Sequence, residues 1–325
     1  MGNVIEVRGL QKIFSYYEKE LGIKNSFKNL FHRQKLYKTA VNNISFDIGE
    51  GEIVGFLGPN GAGKTTTLKM LSGILFPTEG RADVLGYVPW ERKNSFKRQI
   101  AIVMGQKSQL WWDLPAIESF YYNKCMYEIE DTLYKENVEE LTAMLGVEGL
   151  LKVQVRRLSL GERMKMELIT SLLHKPKVIF LDEPTIGLDL ISQKKIREFL
   201  KVYNEKNHAT IILTSHYMQD IQELCKRAVI INEGTVVYDG DLSMVNKRFL
   251  DKKVVKIRFR NSFVEEFAKM GKVLDRNEFG LTLQAAKEEL PAISASLIHN
   301  GNIEDFVIED IPIERGIELL YGEKR

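Results

Sequence analysis

Cysteine is almost missing from this chain: 325 residues carry two, Cys125 and Cys225, far apart in sequence. That excludes a disulfide framework, fits a reducing compartment and reads both as buried thiols. Charge of one sign is missing too. Forty-six Lys and Arg offset 44 Asp and Glu, for a net charge of +2, so the basic face of a general nucleic-acid binder is not expected. No run of about 18 charge-free apolar residues reads as a membrane span. MGNVIEVRGL lacks the apolar stretch of a secretory signal, and Glu6 stands where N-myristoylation of Gly2 wants Ser or Thr. The histidines His32, His174, His208, His216 and His299 show no metal-ligand spacing. Internal repeats, low-complexity tracts and sustained heptads are lacking as well. The expectation is a chain in the cytoplasm or on the cytoplasmic face of the cell membrane, long enough for two domains.

What is present is an alternation of strands and helices. VIEVRGL, AVNNISFDI, EIVGFLG, KVIFL and TIILTS read as strands, and AVIINEGTVVYDG as a hairpin. A helical pattern runs from Ala116 to about Val147. This points to an α/β fold with a mostly parallel sheet and helices on its faces. A stretch from about 15 to 38 interrupts the pattern as an insertion. In it Phe27, Leu30 and Phe31 lie at helical spacing among Lys24, Lys28, Arg33 and Lys35, as in a short basic amphipathic helix. That helix packs on its own domain or meets a membrane surface or membrane partner. After Gly240 the character shifts. KVVKIRFR alternates, and Pro291 and Pro312 stand where proline opens a helix. The expected domains are 1–240 and a small α+β appendage, 241–325.

GPNGAGKT, Gly58 to Thr65, fits G-x-x-x-x-G-K-[ST] between a strand and a helix. Glycines there let backbone N–H groups turn onto phosphates, and the helix start adds partial positive charge. Lys64 is expected at the β/γ-phosphates and the Thr65 hydroxyl on Mg²⁺. Such a loop does not separate kinases, GTPases and ATPases. KVIFLDEP does more, placing Asp182 and Glu183 at the carboxyl end of an apolar strand, where open α/β sheets put their ligands. Asp182 suits Mg²⁺, through water. Glu183 suits a general base toward an attacking water.

LSLGERMK, Leu158 to Lys165, completes the set, and with it the chain resembles the ATP-binding cassette (ABC) family over about Val4 to Gly240. The resemblance implies a P-loop NTPase cassette with a mostly parallel sheet core, an antiparallel β part and a helical subdomain at about 110–170. It implies ATP and Mg²⁺ as ligands, with Gly58, Pro59, Asn60, Gly61, Ala62, Gly63, Lys64, Thr65 and Thr66 on the nucleotide. Ser159, Gly161 and Glu162 match the signature loop, which caps ATP held by a second subunit, so a head-to-tail dimer, sufficient as a homodimer, is implied. Glutamate stands at 162 where glutamine is commoner. Asp189 matches the D-loop acid and His216 the switch histidine. Phe14 is the match for the adenine-stacking aromatic, with Tyr16 and Tyr37 as alternatives.

GQKSQLWWDLP, Gly105 to Pro115, supplies the last piece. By resemblance, Gln106 takes the place of the glutamine that touches Mg²⁺ and the attacking water, and Gln109 is its neighbour. Trp111 and Trp112 fall where this loop enters the helical subdomain. One reading puts at least one of them in the core; the other has one face a membrane partner as an anchor. Together with GYVPWER and LSLGERMK the segment resembles bacterial sodium-extrusion and viologen or multidrug exporter ATPases. These carry a C-terminal α+β extension and work with separately encoded polytopic permease subunits. The alternative is a soluble cassette ATPase acting on ribosomes or nucleic acid, but such proteins carry two cassettes or a long coiled-coil insertion.

Overall fold

The computed structural model describes residues 2–17, 35–105, 107–245, 251–261 and 265–322. The basic helix expected around Phe27, Leu30 and Phe31 and the glutamine Gln106 lie outside them. The chain divides into two compact units, Met1–Gly240 and Asp241–Arg325.

In the first unit, β1 (Asn3–Tyr17) and β2 (Lys35–Gly49) pair antiparallel, and β4 (Glu79–Val84) adds to the free side of β1. The β1–β2 pairing runs out to Tyr17↔Lys35, so it continues into the stretch read as an insertion. Cross-strand neighbours such as Tyr16↔Leu36 explain this, since aromatic and aliphatic pairs favour a ladder.

The second sheet is the larger. Its strands are β3 (Ile53–Leu57), β5 (Ile100–Met104), β6 (Val178–Asp182), β7 (Thr210–Thr214), β8 (Arg227–Asn232) and β9 (Thr235–Asp241), in the order β5-β6-β7-β3-β8-β9. From β5 to β8 all pairings are parallel. β6 and β7 are buried almost throughout, which is why both read as continuous apolar runs instead of alternating ones. Glu233 and Gly234, both with positive φ, make the two-residue turn of the β8–β9 hairpin.

Helix α1 (Lys64–Leu71) follows β3 and contributes Leu68, Met70 and Leu71 to one core. That core also takes Ile5, Ile44 and Val84 from the antiparallel sheet and Phe56, Phe180 and Ile212 from the parallel one. The short α2 (Asn94–Lys97) buries Phe96 in the same cluster. The helical run expected from Ala116 is two helices, α3 (Ala116–Tyr127) and α4 (Asp131–Leu145), parted where Glu128 takes positive φ. α4 closes on Gly146 with the paired back-bonds Gly146 N–H to Ala143 and Val147 N–H to Thr142, a left-handed glycine cap. Ser119, Phe120 and Asn123 turn inward from α3, while Tyr121, Tyr122, Cys125 and Met126 face out. Cys125 is therefore exposed, against the expectation of a buried thiol, whereas Cys225 is buried and its thiol is pushed up by that burial. Helices α5 (Leu160–Leu172), α6 (Leu190–Asn207) and α7 (Met218–Leu224) complete the unit.

The second unit is a four-stranded antiparallel sheet with helices. β10 (Lys252–Phe259), β11 (Lys272–Arg276), β12 (Gly280–Ala286) and β13 (Ile303–Asp310) lie in the order β11-β12-β10-β13. Val255, Ile257 and Phe259 form its core with Leu281, Leu283 and, from α8 (Leu290–Ile298), Ile293 and Leu297. Proline stands in the first turn of α8, and Pro312 accepts from Arg315 and Gly316 at the start of α9 (Ile313–Gly322). Among the described residues no helix is long and apolar enough to cross a membrane.

One buried ion pair holds α6 and α7 together. Arg197 Nη1 donates to Asp220 Oδ1 at 2.9 Å, with both side chains almost wholly out of solvent. Asp220 Oδ2 accepts from Thr185 and Ser215 as well. Removing one partner strands a buried charge, so Asp220→Ala is expected to destabilise the first unit by about 3–5 kcal/mol, read as a lowered denaturant midpoint.

Candidate nucleotide site

The loop between β3 and α1 is shaped by close backbone approach. A Cβ on Gly58 would sit 2.2 Å from the Ile231 carbonyl oxygen, and one on Gly63, at φ 108°, would sit 2.4 Å from that of Ala40. Neither position admits a side chain. Lys64 opens α1 and donates through Nζ to Gly58 O at 2.6 Å and Pro59 O at 3.1 Å. Burial holds its pKa below the usual lysine value, and the carboxylates of Glu183 and Asp182 push the other way.

Adjacent parallel strands bring their carboxyl ends to this loop. Thr65 Oγ1 donates to Asp182 Oδ2 at 2.9 Å, and Thr214 Oγ1 donates to Asp182 Oδ1 at 2.8 Å. Asp182 ends β6 and Thr214 ends β7, so two elements and the start of α1 meet on one carboxylate. One residue on, Glu183 adopts φ 56°. Its N–H donates to Thr214 O and Oγ1, which holds a left-handed turn that a non-glycine residue adopts only under constraint. The turn swings the Glu183 carboxylate to 2.8 Å from His216 Nε2. Sequence reasoning named Asp182, Glu183 and His216 but missed Thr214 and Gly105. A Cβ on Gly105 would lie 2.8 Å from Glu183 O, and the Gly105 N–H donates to Asp182 O.

A cleft of about 280 Å³ is lined by Asn60, Gly61, Gly63, Lys64, Thr65 and Thr66 together with Phe14, Lys38, Ala40 and Glu183. All three rings are exposed, but Phe14 lines the cleft at the phosphate loop, whereas Tyr16 and Tyr37 line no part of it. Pro59 and Ala62 belong to the same turn, where Ala62 N–H donates to Pro59 O. A neighbouring cleft of about 140 Å³ is lined by Thr65, Lys69, Met104, Gly105, Lys107, Asp182 and Glu183.

Ser159, Gly161, Glu162 and Asp189 line neither cleft. They form a second arrangement at the paired starts of α5 and α6. Ser159 caps α5 in a capping box: its Oγ accepts from the Glu162 N–H, and Glu162 Oε2 accepts from the Ser159 N–H at 2.8 Å and its hydroxyl at 2.9 Å. Asp189 caps α6, one carboxylate oxygen taking the Ser192 N–H and the other the Ser192 hydroxyl. These bonds hold its pKa below the ordinary aspartate value. A Cβ on Gly161 would meet Ser192 Oγ at 2.5 Å, so the glycine is what lets the two helix starts touch.

The tryptophans resolve against a core role. Trp111 and Trp112 are 44% and 53% exposed. Trp111 packs its ring on Tyr122 at 5.0 Å, and the Arg163 guanidinium lies 4.9 Å over Trp112. Gln109 turns away to bond Ile102 O and Ser171 Oγ.

A strand–loop–helix phosphate cradle facing two strand-end carboxylates and a histidine defines a P-loop nucleoside-triphosphate hydrolase. Residues 41–186 match the family described as ABC transporter, and 251–309 match the EvrA-like ABC transporter C-terminal domain. The ABC transporter ATP-binding protein NatA of Bacillus subtilis (strain 168) is 34% identical over 212 residues, 65% of this chain and 86% of that protein. The linearmycin resistance ATP-binding protein LnrL of the same organism is 30% identical over 295 residues, 88% of this chain and 94% of that one. A solved ATP-binding subunit of an ABC transporter superposes with a TM-score of 0.62 at 23% identity, covering 76% of this chain and 93% of that one. A dimeric ATP-binding cassette holding ADP and Pi gives 0.60 at 22% identity, over 73% and 98%. The chain belongs to the ABC transporter ATP-binding proteins: it is an ATP-binding, ATP-hydrolysing transporter subunit.

The capping box gives a direct check on residue 162. Glu162→Gln keeps an acceptor for the Ser159 N–H and is expected to leave the melting temperature unchanged. Glu162→Ala loses that half of the box and costs about 0.3–1.5 kcal/mol, read as a lowered melting temperature.

Proposed function

We propose that this subunit drives export through separate polytopic permease subunits, from the cytoplasmic face of the membrane, as a head-to-tail dimer with two sandwiched ATPs. The observation that carries the catalytic part is the 2.8 Å approach of His216 Nε2 to Glu183, beside the Thr65–Asp182 pair. In this reading the loop N–H groups and Lys64 hold the phosphates. Lys64 gives up its bonds to Gly58 and Pro59 for charge-assisted bonds to phosphate oxygens. Glu183 takes the proton of the attacking water, and His216 fixes the Glu183 carboxylate and contacts the γ-phosphate. Phe14 stacks on the base, which asks only for a flat ring at the cleft.

Thr65 and Asp182 offer a hydroxyl and a carboxylate already together at the cleft, the hard oxygen donors that Mg²⁺ takes. They would hold the ion, with Gln106 as a further ligand, and the ion would supply charge neutralisation at the β- and γ-phosphates. The signature residues and Asp189 lie outside both clefts, which supports their serving ATP on a second copy. Exposed Leu160, Leu190 and Ile191 flank these motifs and give that copy an apolar face to cover. Export is supported by relatives named for linearmycin resistance and multidrug transport.

On the helical subdomain Trp111, Trp112, Leu114, Tyr121, Tyr122 and Met126 are all exposed, a patch fit for the membrane partner. Large aromatics anchor desolvated interface centres. Alanine at Trp111 or at Trp112 should leave the ATPase activity of the purified subunit intact, and at least one of the two should abolish co-purification with membrane subunits. Full assembly by both variants would refute the assignment.

Two catalytic variants test the rest. Glu183→Gln should bind ATP, slow turnover by at least ~10²-fold and accumulate a closed dimer; normal turnover would remove Glu183 as base. Ser159→Arg should end hydrolysis without weakening nucleotide binding by the monomer, and undiminished activity there would refute the composite site.

A further inference from the structure

The signature helix carries a polar stripe that lies outside both clefts. Glu167, Ser171 and His174 recur at i, i+4 and i+7, which places them on one side of α5 and its continuation. Each grips β5 or the segment that leaves it. The buried Glu167 carboxylate accepts from the Ser108 hydroxyl, and from the Gln109 N–H at 3.0 and 3.1 Å. Ser171 Oγ accepts from Gln109 Nε2 at 2.8 Å. His174 Nε2 lies 2.9 Å from Ile100 O, and its ring stacks on Tyr127 with centroids 3.9 Å apart and planes 9° apart. Burial pushes the His174 pKa down to about 4, so the neutral ring donates to that carbonyl.

The same segment touches the catalytic strand end on its other side. Gly105 N–H bonds Asp182 O, and Gly105 admits no Cβ against Glu183 O. Lys107, next to Ser108, donates its N–H to the carbonyl of Met104, next to Gly105, so a short path runs from the signature helix to the turn holding Asp182 and Glu183. An apolar residue at 167 would fill the space without a desolvation cost. A buried carboxylate instead demands its donors, and these belong to another segment.

We propose that Glu167 is a positioning residue for ATP hydrolysis, locking Ser108–Leu110 to the signature helix so that Ser159 and the loop leaving β5 beside Asp182 and Glu183 move as one body. The proposal rests on the composite-site reading: closing a second copy's ATP under Ser159 then sets the loop beside Asp182 and Glu183. A double-mutant cycle on the full chain measures the coupling. It reads kcat, KM, binding of a fluorescent ATP analogue and the melting temperature.

Glu167→Gln sets an amide N–H₂ against donors and should lower kcat about tenfold while KM and analogue affinity stay within about twofold. Ser108→Ala, at an exposed position, should shift kcat the same way by less while KM and analogue affinity stay unchanged, because the Gln109 N–H still serves the carboxylate. The double variant should be no slower than Glu167→Gln alone, because both changes break one contact. Unchanged kcat in Glu167→Gln, additive losses, or a kcat loss matched by weaker analogue binding and a lower melting temperature would each overturn the lock. An active Ser159→Arg in the same assay would instead remove the composite site on which the lock depends.

Discussion

Asp182 accepts one hydroxyl from each side, from Thr65 at the start of α1 and from Thr214 at the end of β7, and much of the site's geometry follows from that carboxylate. It is the last residue of an otherwise buried strand, so its backbone cannot shift without moving the sheet. Thr65 brings the helix that carries the phosphate loop to it. Thr214 adds a second task, since its carbonyl and hydroxyl both accept from the Glu183 N–H. One threonine thus orients one acid directly and imposes on the next the left-handed turn that sends its side chain toward His216. A parallel sheet makes this economical, because the carboxyl ends of β3, β6 and β7 are neighbours on one edge and need only short loops to converge.

The buried charge at Asp220 extends the same order outward. Its carboxylate receives Thr185, two residues after Glu183, and Ser215, one residue before His216, while Arg197 ties it to the helix that Asp189 caps. Glu183, His216 and α6 therefore share one anchor out of solvent. Such a cluster is costly unless every member is satisfied, and each of these contacts is short.

What the chain's sequence reveals divides by distance along it. The phosphate loop, the strand-end acids and the signature loop are local patterns, each complete within about ten residues because a turn and a helix start need no more. Thr214, Gly105, Asp220 and Glu167 carry no local mark. Their partners lie tens of positions away, 32 for Thr214 to Asp182 and 59 for Ser108 to Glu167, and the order of strands that joins them is not written in any one segment. Cys125 misled in another way, and the tryptophan pair left its two readings open. Large apolar side chains and thiols are buried on average, yet the outward face of α3 and the loop before it hold most of this subdomain's aromatics. Inward-facing Ser119 and Asn123 on the same helix show that hydrophobicity did not mark its buried side.

Asp189 and Glu162 bear on how a second copy would meet these loops. Each acid sits at a helix start, where partial positive charge favours it, and each is engaged by its own helix cap. Held by Ser192 through both oxygens, Asp189 has little freedom of orientation. Glu162 places a negative charge against the Ser159 hydroxyl, where a glutamine would place a neutral amide. A γ-phosphate approaching Ser159 would meet that charge at close range, so it must take the hydroxyl from Glu162 or accept from it through a rotated bond. In the proposed dimer, closure would then include a local exchange at Ser159 as well as the docking of two surfaces, with the favourable helix start set against one nearby carboxylate.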